Sequence, residues 1–70
     1  MEMTLEEFRK QLKDKGYVEM HSHVMCDLLG IPNAPVEDII KSAECQAFCL
    51  QEGVIGCADE YPDLITFRKL

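Results

Sequence analysis

Three glycines, Gly16, Gly30 and Gly53, punctuate this chain, and each follows a run in which apolar residues recur every three or four positions. A glycine in that position closes a helix by adopting left-handed backbone, so the pattern predicts short helices ended by tight turns. Thr4-Leu5-Glu6-Glu7 has the form of a capping box. It predicts a first helix from about Leu5 to Gly16, with Leu5, Phe8 and Leu12 on one face. Tyr17-Val18-Glu19-Met20 is β-prone but short and reads as an extended strap. A second short helix is expected from Ser22 to Leu29, capped by Ser22, with Val24, Met25, Leu28 and Leu29 apolar. A third is expected from about Ala34 to Gln51, with Pro35 in its first turn and Val36, Ile40, Ala43, Ala47 and Leu50 as its core-facing stripe. Val54 to Cys57 and Leu64 to Phe67 are β-prone runs separated by Ala58-Asp59-Glu60-Tyr61-Pro62-Asp63, the pattern of a hairpin. Residues 1–70 therefore read as a single α+β domain, three helices followed by a C-terminal β-hairpin.

Seventy residues leave little chain for a cleft that shields multistep chemistry, and no H-E-x-x-H, G-x-S-x-G or G-x-x-x-x-G-K-[ST] motif is present. A non-enzymatic protein without a cofactor is the expectation. The N-terminal residues lead into a charged amphipathic stretch, with no apolar core of a signal peptide. No run approaches the eighteen or so apolar residues that span a bilayer. Both features favour a soluble cytoplasmic protein with its four cysteines reduced.

Cys26-Asp27-Leu28-Leu29-Gly30-Ile31-Pro32-Asn33-Ala34-Pro35-Val36 places a small residue four before a turn glycine, apolar residues on either side of it, and a β-branched residue six beyond. The small, flanking and β-branched positions are Cys26, Leu29, Ile31 and Val36. With the element order around it, this motif resembles the core of the winged helix-turn-helix superfamily. The resemblance implies a winged-helix-like fold with the hairpin as wing. It also implies DNA binding, through the second helix of the motif in the major groove.

The charges oppose that function. Between His21 and Asp63 there is one basic residue, Lys41, against Asp27, Glu37, Asp38, Glu44, Glu52, Asp59, Glu60 and Asp63, a balance of −7 with the histidines neutral. Arg9, Lys10, Lys13, Lys15, Arg68 and Lys69 lie outside this segment, which predicts a polarised molecule. Affinity for nucleic acid comes largely from Lys and Arg neutralising phosphates, and the segment that should read DNA offers almost none. An acidic surface serves either solubility or the docking of a basic protein. The second use would make this chain a protein-binding inhibitor or adaptor of a nucleic-acid-handling partner, similar in type to acidic DNA mimics. Glu37, Asp38, Asp59, Glu60, Tyr61 and Asp63 are the candidate contacts. The alternatives are a conventional winged-helix transcription regulator and a thiol-based metal or redox sensor.

His21, His23, Cys26, Cys45, Cys49 and Cys57 could in principle ligate metal, but no C-x-x-C knuckle exists and eighteen residues separate Cys26 from Cys45. Packed thiols, with Cys45 and Cys49 at least partly buried on one helix, are expected instead, and no metal site. The charge balance yields a direct expectation: at low salt, random duplex DNA should show no gel shift at sub-micromolar protein. A tight complex would place the phosphate contacts on the first helix or the last strand.

Overall fold

The computed structural model describes residues 3–59 and 63–70. Seven elements follow one another: α1 (Leu5–Lys15), β1 (Tyr17–His21), α2 (Ser22–Leu29), α3 (Val36–Lys41), α4 (Ala43–Glu52), β2 (Val54–Ala58) and β3 (Leu64–Lys69). The domain is α+β, with four helices rather than three and a three-stranded antiparallel sheet of order β1-β3-β2 rather than a hairpin alone.

Helix α1 forms where its signals place it. The Thr4 hydroxyl accepts from the Glu7 backbone N–H at 3.1 Å, and Gly16, at φ 80°, turns back so that its N–H donates to the Leu12 carbonyl at 2.8 Å. Phe8 and Leu12 are buried on its inner face. The segment expected as a strap is a full strand, because alternate Val18 and Met20 point inward and meet Phe67 and Ile65 across the ladder with β3. Helix α2 spans the expected residues, but its N-cap is His21 and not Ser22, and no side chain caps it.

The largest departure is at Ser42, where the expected third helix divides. Ser42 is extended, at ψ 148°; its hydroxyl donates to the Ile39 carbonyl at 2.7 Å and accepts from the Cys45 N–H at 3.1 Å. One short side chain thus satisfies the end of α3 and the start of α4, which is how serine competes with a continuous helix. The break also changes the helical phase. Val36 is buried and Ile40 half-buried, but Ala43, Ala47 and Leu50 are exposed; Ile39, Cys45 and Phe48 take the inward positions.

The helices cover one face of the sheet. Phe8 from α1, Phe48 from α4 and Phe67 from β3 meet edge to face, with ring centroids 5.0, 5.5 and 6.0 Å apart. Met25, Cys26, Ile39, Val18, Met20, Val54 and Ile65 complete the core around them. On the opposite face, Tyr17, Arg68 and Ile55 form a row across all three strands, with the Arg68 guanidinium 5.8 Å from the Tyr17 ring centre. No helix among the described residues is long and apolar enough to cross a membrane.

Gly56 occupies the position opposite Phe67, and a Cβ there would stand 2.9 Å from that ring's Cε1 and 3.2 Å from its Cδ1. The ring is fully buried and cannot move without disturbing its two aromatic partners. Gly56→Ala is therefore expected to lower stability by about 1–3 kcal/mol, the usual cost of overpacking. A urea titration would show this as a reduced midpoint at an unchanged slope.

Candidate functional site

The sequence-predicted contacts fall on two separate elements. Glu37 and Asp38 occupy the first turn of α3 and are exposed. Asp59 follows β2 and is half-buried: its N–H donates to the Leu64 carbonyl at 3.0 Å, and its carboxylate accepts from the Thr66 hydroxyl at 3.3 Å. Asp63 is exposed beside His21, Oδ2 to Nδ1 3.6 Å, and its carbonyl accepts from the Ser22 N–H at 2.7 Å. That bond ties the hairpin to the start of α2. Glu60 and Tyr61 lie outside the described residues. His21 and His23 are exposed and stack with ring centroids 5.7 Å apart.

The exposed surface of the α3–α4 pair is poor in cations. It presents Glu37, Asp38 and Lys41, then Ala43, Glu44, Gln46, Ala47, Leu50 and Gln51. The basic residues gather elsewhere, because Tyr17 pairs with Arg68 and brings the end of α1, with Lys13 and Lys15, next to the end of β3, with Arg68 and Lys69.

Sequence reasoning did not anticipate a groove of about 330 Å³ between α4 and β2. Cys45, Gln46, Cys49 and Leu50 line it from α4, Ile40 from α3, and Val54, Ile55 and Gly56 from β2. Leu50 is 82% exposed and Ile55 51%. The groove exists because the break at Ser42 swings Leu50 out of the core and turns Cys45 and Cys49 toward β2. Burial pushes the Cys45 thiol up to about 12, helped by the neighbouring Cys49. Burial also raises Cys49, opposed by hydrogen bonds from the Cys45 thiol and the Gly56 backbone. At neutral pH both are thiols. Cys26 is fully buried and Cys57 exposed.

Across the helix layer, Arg9 of α1 clamps Glu52 of α4 with two bonds, Nε to Oε1 at 2.7 Å and Nη2 to Oε2 at 2.8 Å. The Glu52 side chain is 5% exposed and that of Arg9 55%. In the sequence the two enter only as opposite charges on either side of the acidic segment's boundary, and their spacing of 43 residues offers no reason to pair them. No group of three or more His, Cys, Asp or Glu side chains suited to a metal ion converges among the described residues.

The hydrogen bond from Arg9 holds the Glu52 carboxyl below the ordinary glutamate range, outweighing its desolvation. A depressed carboxylate stabilises the fold above its unfolded pKa, about 4.3, and that contribution fades as pH falls through the folded value. Glu52→Gln should therefore melt below wild type at pH 7, with the gap closing toward pH 3; a gap independent of pH would mean that the ion pair contributes nothing. The chain matches no protein-family model, no curated protein and no solved structure.

Proposed function

We propose that this chain is a non-enzymatic, winged-helix-like module that binds a basic protein and modulates it, as an inhibitor or adaptor of nucleic-acid-handling machinery would. The observation that carries the reading is the surface of the α3–α4 pair. Glu37, Asp38 and Glu44 face solvent there with Lys41 as the single cation, on the helical segment that a winged-helix protein would turn toward DNA. Helix, strand, helices and then hairpin, with β3 central in a β1-β3-β2 sheet, is an order compatible with that fold, the β2–β3 hairpin standing as the wing.

A surface so charged repels phosphate and attracts lysine- and arginine-rich protein surfaces, accelerating encounter through long-range attraction. Neither Glu37 nor Asp38 is held in an ion pair among the described residues, so both carboxylates can meet a partner without first breaking an internal contact. Segregation of the cations at the joined ends of α1 and β3 would orient the module during approach.

The test begins with affinity capture from a nuclease-treated extract and proceeds to association kinetics with the captured protein. Reversing Glu37 and Asp38 to Lys should leave the circular dichroism spectrum near wild type, since both side chains are exposed. Association should slow by about tenfold or more at low ionic strength and much less at high salt, because screening already weakens steering in the native complex. Rates and salt dependence that do not change would reduce this surface to a solubility feature.

A further inference from the structure

Cys45 and Cys49 stand one helical turn apart on α4, and both line the groove against β2. Residues at this spacing bring their Cβ atoms to about 5–6 Å, close enough for two sulfurs to share one ion. The two thiols are near enough to perturb each other's ionisation, and the Gly56 backbone, which lines the same groove, acts on Cys49 from the β2 side. We propose that the Cys45–Cys49 pair, under the apolar walls of the α4–β2 groove, is a two-thiolate binding site for monovalent copper.

Ligand number and softness select the ion. Thiolate sulfur favours soft ions such as Cu(I). Zinc also accepts sulfur but completes a tetrahedron, and no third His, Cys, Asp or Glu side chain converges here among the described residues. Two sulfurs on one helical face suit an ion content with two ligands. The surroundings add to this choice. Ile40, Leu50 and Val54 keep the site apolar, which disfavours hydrated, harder cations, while the open mouth of the groove leaves a path in. The Gly56 N–H supplies a fixed positive dipole edge to the net negative charge of a copper held by two thiolates.

The binding step balances without electron transfer. Two S–H bonds break, two Cu–S bonds form, and two protons leave to solvent, with copper entering and remaining as Cu(I). Cys26, fully buried, and Cys57, exposed on β2, do not line the groove and serve as internal controls.

The test is an anaerobic titration of the purified reduced chain with Cu(I) against a chromogenic Cu(I) chelator. One copper per chain is expected to survive the competition. Cys45→Ala and Cys49→Ala should each weaken retention at least about a hundredfold, Cys57→Ala should leave it unchanged, and Zn(II) should not be held at matching stoichiometry. Retention in both groove variants, its loss in Cys57→Ala, or equal retention of zinc would overturn the assignment. Because Cys45 is buried and its replacement could unfold the chain, alkylation of the wild type gives a second readout. Copper should protect Cys49 from iodoacetamide while Cys57 continues to react, and equal labelling of Cys49 with and without copper would refute the site.

Discussion

The placement of α4 rests on the edge-to-face meeting of Phe8, Phe48 and Phe67. Each ring comes from a different element, so the cluster joins the first helix, the last helix and the central strand at one point. Such ring pairs contribute about 0.5–1.5 kcal/mol each beyond the area they bury. Cys45 is the only residue of α4 that is itself buried, which leaves Phe48 as its main apolar anchor. Gly56 admits the Phe67 ring from the sheet side, and the Arg9–Glu52 clamp ties the same two helices near the end of α4. The groove, its two thiols and the exposed surface of α4 all take their positions from these contacts.

Local signals in the chain were readable where one short stretch decided the outcome. The Thr4 cap, the glycine stops and the β-prone runs of the hairpin have their causes within a few residues, and α1, α2, β2 and β3 lie where those causes put them. Val18 and Met20 already alternated with polar neighbours, but five residues cannot declare themselves a strand without a partner, and the partner lies some fifty positions away. Ser42 was the harder case. A serine inside an apolar periodic run is compatible with continuous helix, and the Val36-Ile40-Ala43-Ala47-Leu50 stripe was self-consistent. Counting the cysteines as apolar would have exposed a competing stripe, Cys45-Phe48-Cys49, out of phase with Val36 and Ile39, and a phase slip of that kind is the sequence trace of a break.

Of the candidate docking residues, what the sequence carried was their charge and, for Glu37 and Asp38, their exposure. Charge segregation is a property of composition along the chain, and it persists whatever the helices do, so exposed Glu37 and Asp38 stand as expected. Asp59 was counted with them as a surface acid, yet its carboxylate also receives the Thr66 hydroxyl, a pairing created by the hairpin register. The groove had no sequence signature, because it depends on the gap between two elements whose relative phase only the tertiary structure sets.

The middle strand of the sheet is β3, the last of the three in the chain, and β1 and β2 have no ladder between them. Both outer strands therefore precede their shared partner in the chain, and neither has a ladder to join until β3 is present. Arrival of residues 64–69 zips both ladders together, one of them closing a loop of more than forty residues. The sheet thus hinges on one segment distant from β1 in the chain, and the loop closed by β1–β3 pairing carries an entropic cost that purely local pairing avoids, a feature that slows folding.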